Sequence, residues 1–194
     1  MTVKVKEQEP TALDRIVGMM PFGDLRALTL WQPMAGAIAH LGKDFENRPT
    51  MPPENLLGQP LAIHAGMHYE PVHGAYIVER GLATRDQVEG ACRVHGAIIA
   101  IVRLCSRWSF DGAVATGQSA RTRTRSSIDT LREIEPAQWR WYMQGTKAGF
   151  HVDCVVPLDP IPCLGMQGYW RVGDYQKADI AKQLVRKYNE SAST

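Results

Sequence analysis

The chain has 194 residues, 44% of them hydrophobic, with 22 Lys and Arg against 20 Asp and Glu. That composition supports a sizeable core and excludes a disordered chain, while a net charge of +2 permits a nucleic-acid partner without demanding one. The four cysteines, at 92, 105, 154 and 163, include no C-x-x-C pair, which argues against a zinc ribbon and for reduced thiols packed as small apolar residues.

The N-terminus alternates Lys4, Lys6, Glu7 and Glu9 and lacks the apolar run of a signal peptide, and no window reaches membrane-spanning length. A soluble, cytoplasmic protein is expected. Residues 1–23 read as an N-terminal arm with a short helix, opened by Thr11 or Asp14 and ended by Gly18.

Residues 28–48, LTLWQPMAGAIAHLGKDFENR, organise the rest of the chain. Leu28, Thr29, Leu30 and Trp31 favour a strand. Pro33 suits a first helical position, where its missing N–H would be unpaired anyway. Met34, Ala35, Ala37, Ile38 and Leu41 then give one apolar helix face, and Gly42 is a left-handed stop. Lys43, Asp44, Glu46, Asn47 and Arg48 spill from that stop as the rim of a polar site.

Four prolines make residues 49–60 an irregular loop, and 61–65 (LAIHA) a strand after it. A helix over 70–80 closes at Gly81, and Thr84 with Gln87 has the spacing of a capping box that opens a second. The run 96–104 (GAIIAIVRL) is the most apolar of the chain and reads as a central strand. In 119–127 (SARTRTRSS), Arg121, Arg123 and Arg125 alternate among hydroxyl residues. An extended chain would aim all three to one side, toward phosphates, although the composition equally fits a solvated loop.

A short helix is expected over 136–143, carrying Trp139 and Trp141, then strands over 149–158 and 169–172. The last helix presents Ala178, Ala181, Leu184, Val185 and Tyr188 on one face. The organisation is therefore an arm (1–23), one domain (24–173) and a C-terminal helix (174–194). Strands at 27–31, 61–65, 97–105, 149–158 and 169–172, separated by loops and short helices, make an α+β chain built on a small mixed barrel.

Residues 28–48 resemble the signature of the ASCH domain, a relative of the PUA fold. Gln32, Pro33, Gly42, Lys43, Glu46 and Arg48 occupy the positions of its strand, Gln-Pro helix and Gly-Lys-x-x-Glu-x-Arg turn. GQPLAIHAG, GAIIAIVRL and PIPCLGMQGYWRV resemble later blocks in the same order. The resemblance covers roughly residues 24–173 and implies a PUA-like mixed β-barrel of five to six strands, with helices at its ends and a cleft beside the Lys-x-x-Glu turn. Met34 stands where the family often has a large aromatic residue, and loops 66–95 and 107–135 are longer than compact members need.

Some small family members are amidohydrolases of acetylated cytidine, with a Thr nucleophile where this chain has Glu46, and another relative is a ribonuclease. A Lys beside a carboxylate suits general acid–base work or the holding of a phosphate, so Lys43 and Glu46 are the candidate catalytic pair. The resulting expectation is a domain binding RNA or a modified nucleotide in a cleft lined by Trp31, Gln32, Lys43, Glu46, Arg48 and His64. Lys43 and Arg48 would hold phosphate, Gln32 and Glu46 would read polar edges, and Arg121, Arg123 and Arg125 would extend the grip.

Trp31, Trp139, Trp141, Tyr169 and Trp170 either offer base-stacking surface or fill the core; Trp31 is the one expected to face the cleft. His64 and His68 are four apart without the Glu that a zinc-protease signature needs. The alternatives are a hydrolase using the same cleft, without cofactor unless a divalent metal serves a nuclease, and a protein-interaction module using the last helix. DNA is a possible second ligand, no membrane partner is expected, and the sequence sets no oligomeric state.

Overall fold

A computed structural model describes residues 9–120 and 122–193. Its frame is a curled sheet in which six strands run in the order β2 (Phe45–Arg48), β7 (Ala148–Pro162), β4 (Ala97–Asp111), β3 (Pro60–Tyr69), β1 (Arg26–Gln32) and β8 (Tyr169–Arg171). Beyond that path, β5 (Val114–Ser119) pairs with the far half of β4, and β6 (Arg123–Ser127) pairs with β5, making eight strands in all. β1 and β3 are parallel, and the other pairs are antiparallel. The mixed α+β barrel read from the sequence is thus present as a half-barrel, open between β2 and β8.

Local chemistry accounts for most of the helices. Thr11 caps α1 (Ala12–Val17) in a reciprocal box with Asp14, and Thr84 caps α4 (Arg85–Ala91) with Gln87 in the same way. α2 (Met34–His40) starts after Pro33, and Gly42 turns the chain out of it at φ +67°. α3 (Pro71–Glu79) takes Pro71 in its first turn. α6 (Asp174–Ala192) buries Ile180, Gln183 and Leu184, so the face turned to the fold is rotated from the one read in the sequence: of that set only Leu184 is buried, and Ala178, Val185 and Tyr188 are exposed. No helix among the described residues is long and apolar enough to cross a membrane.

The sheet separates two cores, and a third lies at its far end. Leu28, Leu30, Ile63, Leu104, Phe150 and Val152 pack under α2 on the inner face. Ala27, Ala62, Ile98, Ile101, Trp170 and Leu184 pack with Ile16 of α1 on the outer face. Phe45, Trp108, Trp139, Trp141 and Tyr142 form the third core with residues of α3 and α4. Fully burying each such large side chain contributes about 1.5–3 kcal/mol.

Three expectations need correction. Residues 136–143 form turns instead of a helix, with Trp139, Trp141 and Tyr142 all buried. Trp141 also donates to the Gly42 carbonyl, and Asn47 bonds the Trp141 carbonyl and the Met143 amide, fixing the segment as a pinned turn. The arginine-rich run is neither a loop nor disordered from residue 123 onward: it is β6, leading into an unforeseen helix α5 (Ile128–Ile134). Phe45–Arg48, read only as a burst of charge, is an edge strand.

Candidate ligand-binding site

The positive φ of Gly42 lets the Lys43 amide bond back to the Ala37 carbonyl, and the side chain then turns inward. Lys43 is 1% exposed. Its ammonium donates to the Phe45 carbonyl and, at 2.6 Å, to Glu46 Oε2. Strand alternation divides β2: Phe45 and Asn47 face the tryptophan core, while Glu46 and Arg48 face the inner side, opposite Phe150 and Ala148 of β7. Arg48 Nη1 lies 4.0 Å from Glu46 Oε1 and keeps part of its side chain in solvent.

Across the open edge stands Tyr169, the first residue of β8, which β1 presents on the inner face through its pairing with Leu28. Its ring lies 6.4 Å from that of Phe150, and its hydroxyl is within electrostatic reach of Arg48 and Glu46. That hydroxyl is buried and makes no hydrogen bond among the described residues. Burial pushes the phenol's pKa up, the Arg48 charge opposes the shift and the Glu46 charge adds to it. Lys43, Glu46, Arg48 and Tyr169 therefore converge on the seam between the two edge strands. They bring together the Lys43–Glu46 ion pair, the Arg48 guanidinium and a neutral hydroxyl with unused bonding capacity.

The other sequence candidates go elsewhere. Gln32 is fully buried under the start of α2, its Oε1 accepting from the Gly36 amide at 2.9 Å and its Nε2 donating to the Val94 carbonyl at 2.8 Å. Both ends of the amide are engaged by backbone. His64 and Trp31 lie on the outer face, away from the seam, because Thr29 and His64 pair in register and Trp31 follows Thr29 by two. His64 sits within β3, where its Nε2 bonds the Cys163 carbonyl at 3.1 Å and Trp170 packs edge-on at 5.8 Å. Burial lowers its pKa, and the backbone bond partly offsets this. Trp31 is 55% exposed and packs against His68. Arg123 and Arg125 lie exposed on β6, and Arg121 lies outside the described residues.

Two features had no sequence signal. One is the crossing of Tyr169 to β2, which depends on strands more than 100 residues apart. The other is a buried chain behind β2, in which Trp108 Nε1 donates to Ser106 Oγ at 2.9 Å, Ser106 Oγ is 3.0 Å from His151 Nδ1, and His151 Nε2 is 3.1 Å from the Gln138 carbonyl. A carbonyl only accepts, so Nε2 carries the proton and Nδ1 accepts from the Ser106 hydroxyl. Burial first, with the nearby Lys43 charge adding and the Gln138 bond opposing, holds the His151 pKa down at about 4. Every member is satisfied and enclosed.

No protein-family model and no curated protein matches the chain. Among solved structures it is similar to the ASCH protein of Zymomonas mobilis, at 14% identity and a TM-score of 0.45, over 82% of this chain and 94% of that one. It is similar also to a tyrosine-to-phenylalanine variant of that protein, at 16% identity and TM-score 0.45, over 82% and 98%. A serine-to-alanine variant matches at 16% identity and TM-score 0.42, over 82% and 95%. These solved structures are ASCH domain proteins, the family that residues 28–48 resemble.

Proposed function

We propose that the chain is an ASCH-type module that takes a nucleotide of RNA, or a modified nucleotide, into the seam between β2 and β8. The observation that carries this reading is the buried Tyr169 hydroxyl, without a partner among the described residues and within electrostatic reach of Arg48 and Glu46. Leaving a buried hydroxyl unmade costs about 1–3 kcal/mol, and a buried ion pair such as Lys43–Glu46 is often no more stable than apolar residues of the same volume. Neither feature is favoured by folding alone. Both suit a ligand with polar edges and negative charge.

In this reading Arg48 holds phosphate, Tyr169 and Glu46 bond the base or sugar edge, and Lys43 fixes the Glu46 carboxylate in place. Lys43 acts through Glu46, since its ammonium is already bonded to that carboxylate and to the Phe45 carbonyl. The test is fluorescence anisotropy with labelled single-stranded RNA and with free nucleotides. Wild-type binding should fall steeply with salt. Arg48→Ala should weaken it about tenfold, as loss of one charged hydrogen bond implies. Salt-insensitive binding, or none to any RNA or nucleotide, would remove the reading. Turnover of RNA or acetylated cytidine that Glu46→Gln abolishes would replace it with the hydrolase reading.

A further inference from the structure

The β5–β6 hairpin carries a second polar cluster, separate from the seam. Register places Arg107 opposite Gln118, and Gln118 opposite Arg123, so the three side chains stand in one row across β4, β5 and β6. Arg125 follows Arg123 by two residues on the same face. A carboxylate lies on this row. Glu54, from the proline-rich loop after β2, accepts from Arg107 Nη2 at 2.9 Å and from Gln118 Nε2 at 2.7 Å. Its pKa is held down by the Gln118 bond first, then by the Arg107 charge, with the Arg123 charge adding to the effect. Arg107 also donates to Gln118 Oε1 and to the Pro52 carbonyl, so the guanidinium is oriented by its neighbours before any ligand arrives.

Arg107 pairs with the Glu54 carboxylate and Arg123 lies within its electrostatic reach, while Arg123 and Arg125 make no ion pair among the described residues. Planar donors that grip a carboxylate in this way match a phosphate's oxygens equally well. The glutamate is 60% exposed at its side chain, so an incoming anion can reach the donors it bonds.

We propose that Arg107, Gln118, Arg123 and Arg125 form a phosphate cradle for the backbone of a single-stranded nucleic acid, with Glu54 as the internal anion that occupies it in the unbound protein. The inference rests on the nucleic-acid reading of the seam and extends it. A strand whose nucleotide sits between β2 and β8 would lay a phosphate further along its backbone on the hairpin and displace Glu54, since β2, β7, β4, β5 and β6 stand side by side in the sheet. The loop that Glu54 tethers begins directly after Arg48, so its release is coupled in sequence to the seam.

The test compares a labelled 12-nucleotide single-stranded RNA, a mononucleotide and inorganic phosphate on the full chain, across a salt series. The variants are Arg123→Ala/Arg125→Ala and Glu54→Gln, with Glu79→Gln on α3 as a charge-matched control. Arg107 is left intact because it also fastens the Pro52 carbonyl. The double arginine variant should bind the 12-mer about tenfold more weakly and flatten its log–log salt slope by about 1.4, the value for two lost contacts to a single strand. Glu54→Gln should tighten the 12-mer several-fold beyond any effect of Glu79→Gln. Neither hairpin variant should alter mononucleotide binding.

A 12-mer that binds the double variant with wild-type affinity and slope, or Glu54→Gln no tighter than its control, overturns the cradle and leaves the seam standing. Inorganic phosphate competing fully with the 12-mer at the hairpin would reassign the cradle to free phosphate and overturn the backbone proposal. A wild-type protein that binds neither RNA nor mononucleotide removes the seam reading and the cradle together.

Discussion

Tyr169 and Lys43 separate the demands of binding from those of folding. The Tyr169 hydroxyl has no partner among the described residues, so Tyr169→Phe should leave the urea unfolding free energy unchanged or slightly higher. The same change should weaken nucleotide binding about three- to tenfold, the loss of one neutral hydrogen bond. A matched fall in stability would show that the phenol is a packing element. Lys43 predicts the reverse pattern. Lys43→Met strands a 5%-exposed carboxylate, and removing one member of a buried pair costs about 3–5 kcal/mol. The double change Lys43→Met/Glu46→Leu should recover most of that stability in the same denaturation assay, while binding stays lost. A single variant as stable as the wild type would mean that the pair is solvated.

At the scale of elements, the third core depends on strands approaching closely. A Cβ on Gly149 of β7 would stand 2.3 Å from the Phe45 ring and 2.6 Å from the Glu46 carbonyl, with backbone on one side and a buried ring on the other. Gly149→Ala should therefore push β2 off β7, lowering the thermal midpoint and weakening ligand binding together. Retention of both would mean that β2 can shift without disturbing the seam.

His151, on the same strand, links this region to pH. Its folded pKa near 4 lies below the unfolded 6.5, so between those values the unfolded chain binds the extra proton. Stability is fully present above pH 6.5 and declines as pH falls toward 4, by roughly 3 kcal/mol from this group. The depressed pKa of His64 acts with the same sign. Urea titrations of wild type and His151→Gln over this window isolate the contribution, because the carboxylates titrate alike in both. Equal slopes would contradict it.

Legibility in the sequence divides along the same line between local and distant causes. Pro33, Gly42, Thr11 and the Thr84–Gln87 pair act within a few residues, so the ends of α1, α2 and α4 can be read from their own neighbourhoods. The strands β1, β3, β4 and β7 announce themselves through bulky apolar residues, β-branched runs in β4 and β7 and apolar alternation in β3. By contrast, Arg123–Ser127 has no apolar alternation; it is a strand because β5 pairs with it. Gln32 and Glu46 look alike as polar residues near a helix, yet one is enclosed by Gly36 and Val94 and the other faces the open edge. Proximity in sequence groups Trp31 with Lys43, and its place at the end of an expected neighbouring strand groups His64 with it, yet pairing register sends both to the opposite face.

For the whole molecule, the decisive property is that the sheet curls without closing. Six strands bring β2 and β8 to facing edges, and the inner face there is polar, whereas the interior beyond it is aliphatic. The outer face, with Trp31 and His68 at its rim, is a separate surface built on different strands. Face-specific mapping therefore tests the seam most directly. Backbone amide shifts of the full chain should be recorded by NMR while single-stranded RNA is added. The largest changes are expected on Phe45–Arg48 and Tyr169–Arg171, weakened in Tyr169→Phe. Changes confined to Trp31, His68 and residues 163–168, with the two edge strands unmoved, would contradict a ligand seated between β2 and β8.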